Sequence, residues 1–299
     1  MDTNSQYQVL IEFGSNSCKI MQWAKDESTS LQDYRIPLRL SAEIDTNGKL
    51  SSQAIKRILQ TIKTVQGENP QDVRIIIFGT EALRRIKNQK ELSQRIQETS
   101  GLKLRVLSSR EEGEAAYRAI QSGLQLKGKL VCFDLGGAST EIITGRAEQI
   151  QKIYSFPWGA VNLTREFRSH DPISACEYFA IKSTIEKTIK PYPLKNATLA
   201  GTGGSIISYA MVALKLKEYA ADKVNGYRLS HSEVFRQVQR YRALTWREIK
   251  QIRGMDPARA DIILPAGMIM LQLMDLFQQH TIVVSSRGVR HGIADLWLR

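Results

Sequence analysis

The sequence predicts an α/β protein of two domains. Three observations predict it: short apolar runs alternate with segments of helical spacing, one glycine-rich hairpin pattern occurs twice, and the chain is 299 residues long. That length accommodates two cores of ordinary domain size. Strands alternating with helices point to α/β layering.

In the first half, Val9–Phe13 and Cys18–Trp23 read as strands joined by the turn Gly14-Ser15-Asn16-Ser17. Ser51–Val65 has helical spacing at Ile55, Ile58, Leu59 and Ile62. Val73–Phe78 is a buried strand, followed by GTEALRRIKN, which opens a helix with Thr80 as candidate N-cap. Leu104–Leu107 is a further strand. Ser108 and Ser109 then precede Glu111 and Glu112, the start of a helix running through Ile120.

The second half begins again. Lys129–Asp134 is a strand, Leu135-Gly136-Gly137-Ala138-Ser139 a turn, and Thr140–Thr144 a strand. Helices are expected at Ile173–Lys190, Ser230–Leu244, Trp246–Ile252, Arg259–Gln278 and Arg287–Leu298. Thr198–Ala200 and Thr281–Val284 read as strands. Between the former and a helix through Leu216 lies Gly201-Thr202-Gly203-Gly204-Ser205.

Composition excludes several classes. Hydrophobic residues make up 42% and charged residues 24%, so the chain has the apolar content that disordered chains lack. No apolar run is long enough to span a membrane; the longest, Ile262–Met274, is broken by Pro265, Gly267 and Gln272. The N-terminus has no signal-peptide pattern. Three cysteines without a CxxC argue against a disulfide framework or a thiolate zinc site, and a cytoplasmic location is the economical reading. Cys18 and Cys132 lie in apolar runs and are expected in the core. The net charge of +12 favours an anionic partner: nucleic acid, an anionic membrane or a highly phosphorylated small molecule. Charge alone does not choose among them.

The duplicated hairpin narrows the choice. Residues 11–17 and 133–139 both run apolar, acid, apolar, Gly, small, small, Ser, offset by 122 positions. Glycine permits a sharp turn and close approach to a ligand, and successive N–H groups in such a turn form an anion-binding concavity. Hydroxyls of Ser15, Ser17, Ser139 and Thr140 add donors. An acid at the strand end can hold a cation or orient water. The third cluster, Ala200–Ser205, places amides at a helix start. It matches neither GxxxxGK[ST] nor GxGxxG, which disfavours P-loop and dinucleotide-binding readings.

With these residues in view the chain resembles the exopolyphosphatase and guanosine pentaphosphate phosphatase (Ppx/GppA) family. Eight ordered segments carry the resemblance: IEFGSNSCKI at 11–20, FGTEALRRIKN at 78–88, LSSREEGEAAY at 107–117 and CFDLGGASTEIITG at 132–145, then SFPWGAVNLTREF at 155–167, AGTGGS at 200–205, DPARADIILPAG at 256–267 and VSSRGVRHGI at 284–293. It implies the actin-like ATPase (sugar kinase/Hsp70/actin) fold, with two RNase-H-like domains around a cleft. The expected domains are 1–124 and 125–299, with the terminal helix, about 287–299, a candidate to pack on the first. The implied activity is release of terminal phosphate from inorganic polyphosphate or guanosine pentaphosphate by water attack, assisted by Mg²⁺ or Mn²⁺. A homodimer is implied by the resemblance only.

Roles follow from the same matches. Glu112 is the expected general base, with Glu111 its neighbouring alternative. Arg84 offers a planar fork for phosphate. Glu12, Asp134 and Glu141 are the candidate metal ligands. Gly14, Ser15, Asn16, Ser17, Gly136, Gly137, Ser139, Thr140, Thr202, Gly203, Gly204 and Arg287 are the candidate phosphate-binding residues. Arg287 and Arg290 bind phosphate or pair with acids, and both readings stand. Residues 228–259 carry a net +5, a track for a polyanion or a solvated face.

The chain departs from the family pattern at Glu12 (usually Asp), Ala138 (Gly), Asn162 (Arg), Ser286 (Asp) and His291 (Glu). These departures keep open a low-turnover nucleotide- or polyphosphate-binding sensor of the same fold. A nucleic-acid-binding protein is disfavoured, because no recognition module is present and aromatic content is only 7%.

Overall fold

The computed structural model describes residues 7–24, 30–71, 73–190, 194 and 196–297. Two compact units divide the chain: Met1–Glu112 with Ile293–Arg299, and Gly113–Gly292.

The first unit contains β1 (Tyr7–Phe13), β2 (Ser17–Ala24), β3 (Ser30–Pro37), α1 (Ser52–Glu68), β4 (Arg74–Gly79), α2 (Glu81–Arg85), α3 (Gln89–Ser100) and β5 (Leu104–Val106). The sheet order is β3-β2-β1-β4-β5. β1, β2 and β3 are antiparallel neighbours, while β4 runs parallel to β1 and β5 parallel to β4. Val9, Ile11 and Phe13 of β1 pack with Ile55, Ile58 and Ile62 of α1 and Leu92 and Ile96 of α3. Complete burial of such a side chain contributes about 1.5–3 kcal/mol. Ser51 caps α1 by accepting from the Ala54 N–H at 3.1 Å.

The sequence predicts a helix opening within GTEALRRIKN and marks no break in it. The chain instead ends α2 at Ile86, whose backbone is extended, and restarts at α3. Asn88 explains the break, because its side chain bonds both backbone groups of Leu50 and so does not continue the helix. Thr80 sits at the N-cap position but makes no side-chain cap bond.

Helix α4 (Ser109–Leu124) spans the division, with Glu112 in its first turn and its body in the second unit. The second unit continues with β6 (Lys129–Leu135), β7 (Thr140–Arg146), β8 (Gln149–Phe156), α5 (Ala160–Phe167), α6 (Ala175–Thr188) and β9 (Thr198–Thr202). After these come α7 (Gly204–Ala213), α8 (Ala221–Val224), β10 (Arg228–Ser230), α9 (His231–Ala243), α10 (Trp246–Ile249), α11 (Ile263–Leu276) and β11 (Thr281–Val284); α12 (Val289–Trp297) crosses the division and belongs to the first unit from Ile293 onward. The sheet order is β10-β11-β9-β6-β7-β8. β6, β7 and β8 are antiparallel neighbours, and β9 and β11 extend the sheet in parallel from β6. This repeats the order and sense of the first sheet, with β10 added. The doubled arrangement is that of the actin-like ATPase fold.

Helix α11 explains the longest apolar run. Ile263–Met270, Leu273 and Met274 are buried, so the helix is apolar on nearly every face because it lies inside the core of the second unit. Among the described residues no helix is long and apolar enough to cross a membrane. Cys18 and Cys132 are fully buried, as expected, and burial pushes both thiols up.

Candidate functional site

In the second hairpin, Asp134 of β6 stands opposite Glu141 of β7 in the ladder. Glu141 is completely buried. Its oxygens accept from Ser139 Oγ at 3.2 Å and from Ser155 Oγ at 2.8 Å. Ser155 arrives through the next ladder, where it faces Glu141 from β8.

The turn between these strands is held by its carbonyl oxygens. Gly136 O accepts from Ala160 N at 3.1 Å, and Gly137 O accepts from Val161 N at 2.8 Å and Asn162 N at 3.1 Å. Asn162 Nδ2 donates to Ala138 O at 2.8 Å. The N–H groups of Gly137, Ala138 and Ser139 donate to no backbone acceptor among the described residues. A turn tied by its oxygens and presenting its amides suits an anion. Gly159 permits the close approach of α5: a Cβ there would lie 2.5 Å from Gly136 O and from Gly137 O.

The first hairpin repeats the device. Gly14 N donates to Ser17 O at 3.1 Å, as Gly136 N does to Ser139 O at 3.0 Å. Ser15 O accepts from Ser41 N, and Asn16 O from Leu38 N and Arg39 N. Here a 3₁₀ turn at Leu40–Glu43 replaces the helix start. Glu12 is buried, and its Oε1 lies 2.5 Å from Lys19 Nζ.

The third glycine segment lies beside the second hairpin, because β9 pairs with β6 and sets Thr202 next to Asp134. Gly203 needs its positive φ of 126°, and a Cβ on it would lie 2.5 Å from Leu135 O. A Cβ on Gly204 would meet the Arg259 guanidinium, so that buried arginine lies at the head of α7.

Glu111 and Glu112 part company on α4. Glu111 closes a capping box: its Oε2 accepts from Ser108 N and Oγ, both at 2.8 Å. It also pairs with Arg105 at 2.5 Å. The Ser108 backbone bond, then Arg105 and the Ser108 hydroxyl, hold its carboxyl at about 2. Glu112 is buried and accepts from Arg84 Nη1 at 3.1 Å. Arg84 also donates to Leu107 O at 2.5 Å and pairs with Glu81. Burial opposes the Arg84 charge, but Glu112 and Glu81 outweigh it and hold the guanidinium above its ordinary value.

Gly113, next to Glu112, packs onto the second sheet: a Cβ on it would lie 2.8 Å from Ile153 and 3.4 Å from Ile143. That close seating carries Glu112 to β7, and oxygens of Glu112, Asp134 and Glu141 lie within 4.8 Å of one another. Three carboxylates so close repel unless a cation or proton intervenes. An all-oxygen set of this kind fits a hard divalent ion such as Mg²⁺ or Mn²⁺.

The structure therefore brings together Glu112, Asp134 and Glu141 with Thr202, Gly203, Gly136 and Ser139 beside them. Glu12 belongs to the first hairpin and is held by Lys19. Thr140 Oγ1 is spent on Trp158 O at 2.8 Å. The stem of Arg287 lies where a Cβ on Gly123 would be, at the C-terminal end of α4, and Glu112 is at the other end. Sequence reasoning passed over Ser155, Glu81 and Arg259. Ser155 had a signal in the alternation of β8; the other two became visible only through contacts with Arg84 and Gly204.

Known proteins resemble this chain along nearly its whole length. Exopolyphosphatase 2 of Mycobacterium tuberculosis is 25% identical over 310 residues, covering 95% of this chain and 96% of that protein. The guanosine-5'-triphosphate,3'-diphosphate pyrophosphatase of Vibrio vulnificus is 24% identical, covering 97% of this chain and 59% of that protein. The bifunctional 3-dehydroquinate synthase/phosphatase of Fusobacterium nucleatum is also 24% identical, covering 94% and 45%. The chain thus spans about half the length of these last two relatives. A solved PPX-GPPA enzyme of Aquifex aeolicus superposes with a TM-score of 0.82 at 27% identity, covering 96% of this chain and 98% of that one. An exopolyphosphatase from Cytophaga hutchinsonii shares the fold, with a TM-score of 0.85 at 23% identity and 98% of each chain covered. The Ppx/GppA phosphatase family model matches residues 21–299, and with the doubled hairpins and the acidic group in place the chain belongs to that family.

Proposed function

We propose that the chain hydrolyses terminal phosphoanhydride bonds of inorganic polyphosphate or guanosine pentaphosphate. The observation that carries this reading is the convergence of Glu112 on Asp134 and Glu141 beside a turn that presents its amides. Glu112 takes a proton from water as the water oxygen attacks the terminal phosphorus. The bond from phosphorus to the bridging oxygen breaks, and inorganic phosphate leaves the shortened chain. Positioning and charge neutralisation supply most of the acceleration in such transfers.

Asp134 and Glu141 would hold Mg²⁺ or Mn²⁺, whose charge would neutralise phosphate oxygens. The Gly136–Ser139 turn, with Thr202, Gly203 and Gly204, binds the phosphate chain by its amides. Arg84 orients Glu112 through its Nη1 bond to Oε2. Asn162, which stands where the family usually has Arg, supports the turn through Ala138 O.

The test is phosphate release from polyphosphate of defined length and from guanosine pentaphosphate, side by side with Mg²⁺. Wild type should release phosphate from at least one, and Glu112→Gln should lose about 10²–10⁴-fold in rate. Binding without release from either substrate would refute hydrolysis and leave a sensor.

A further inference from the structure

Each sheet has an eight-residue strand at one edge, β3 in the first unit and β8 in the second. Alternate residues of an edge strand turn their N–H and C=O groups away from the sheet. No further strand takes up those of β3 among the described residues. Gln32, Asp33, Tyr34 and Arg35 are exposed in succession. Successive side chains point to opposite faces, so both faces of β3 stand clear here.

We propose that the open edge of β3 is an interface for a second copy of this chain, paired antiparallel about a two-fold axis through Tyr34. The first sheets of the two copies then join into one. This pairing does not depend on the hydrolytic activity.

Register singles out that axis. In a two-fold antiparallel pair, outward backbone groups bond only to outward ones, so each residue meets one of its own parity. The axis therefore passes where a residue faces itself. Centred on Tyr34, residues 31–37 meet 37–31 of the copy, and each Asp33 faces an Arg35. Two opposite-charge pairs form on one face, and the two Tyr34 side chains meet on the other. Centring on Asp33 sets acid against acid, and centring on Arg35 sets base against base. Centring farther out, on Gln32 or Ile36, shortens the ladder and gives neither charge an opposite.

Charges on an open edge ordinarily deter another strand. Here the same two charges admit one partner, the strand itself, and repel its slipped registers. On the β2 side Arg35 faces Lys19, so an acid on its open side also offsets a like-charge neighbour. Tyr34 is held in place because its hydroxyl donates to Glu68 Oε2 at 3.4 Å, at the end of α1. Its ring remains 39% exposed, a surface that a second ring beside it would cover.

The other edge supplies the contrast. β8, QIQKIYSF, carries Lys152 and no acid. No register of β8 on itself yields an opposite-charge pair, and Lys152 lies over the Tyr154 ring of its own strand at 4.9 Å.

Sedimentation equilibrium of the full chain across the micromolar range tests the pairing, with thermal unfolding as the folding check. Wild type should dimerise. Asp33→Arg sets bases against bases and Arg35→Asp sets acids against acids, so each should weaken dimerisation at least tenfold. An equimolar mixture of the two variants should recover the dimer, because the basic pair of one then faces the acidic pair of the other. The double variant Asp33→Arg/Arg35→Asp is complementary to itself again and should dimerise as wild type does, which covers the case of a single variant that fails to fold. A wild type that stays monomeric throughout would overturn the proposal. So would a dimer that neither folded variant weakens, or a mixture and a double variant that stay as weak as the singles.

Discussion

Arg84 Nη1 lies 3.1 Å from Glu112 Oε2, joining a helix that follows β4 to the first turn of α4. The guanidinium also bonds Leu107 O and Glu81, so it is anchored independently of Glu112. A side chain chosen from sequence as a fork for phosphate is largely engaged with protein partners.

Arg84→Met should therefore destabilise the protein by about 2–3 kcal/mol, because it leaves Glu112 buried without its counter-charge. The figure lies at the low end because Arg84 keeps 22% of its side-chain exposure. Denaturant unfolding of Arg84→Met, Glu112→Gln and the double variant measures it. The double variant should be less destabilised than the sum of the two singles.

Metal binding should depend on the second hairpin and not the first. Asp134→Asn and Glu141→Gln should each weaken Mn²⁺ binding at least tenfold, read by the paramagnetic signal of the bound ion without substrate. Glu12→Gln should leave it within twofold.

Two glycines should respond to alanine in opposite directions. Gly159→Ala places a methyl 2.5 Å from the carbonyl oxygens of Gly136 and Gly137 and should cost about 2–3 kcal/mol, as overpacking does. Gly67→Ala meets nothing within 4 Å at an exposed position of α1 and should stabilise by about 0.5–1 kcal/mol. Thermal melts of both variants decide it.

Acid should unlock the start of α4 late. Glu111 has a folded value of about 2, below its unfolded value of about 4.3. A depressed carboxyl contributes stability that is complete above the unfolded value and is lost as pH falls toward about 2. An NMR titration of the Glu111 carboxyl should give a midpoint near 2, moving upward in Ser108→Ala. A midpoint above 4 in wild type would refute the capping role.

Much of the architecture was legible because its signals are local. Apolar runs marked β1, β2, β4, β6 and β11, helical spacing marked α1, and the serines before Glu111 and Glu112 marked the start of α4. β3 and β8 escaped notice because edge strands with a solvent side are rich in polar residues, as SLQDYRIP and QIQKIYSF are. The short α5 was hidden in a segment read only as part of the resemblance. Its position against Gly136 and Gly137 depends on Gly159, whose reason is a clash between distant residues.

For function, the chain's own order of residues already contained the repeated turn, the acids at the strand ends and the two glutamates beginning α4. Helical geometry alone separated Glu111 from Glu112 in direction without saying which turned inward. Folding decided that, through the tight seat of Gly113 on Ile153 and Ile143. Strand register likewise decided that Asp134 meets an acid while Glu12 meets a lysine, because pairing across a ladder joins side chains that only hydrogen-bonded alignment brings face to face.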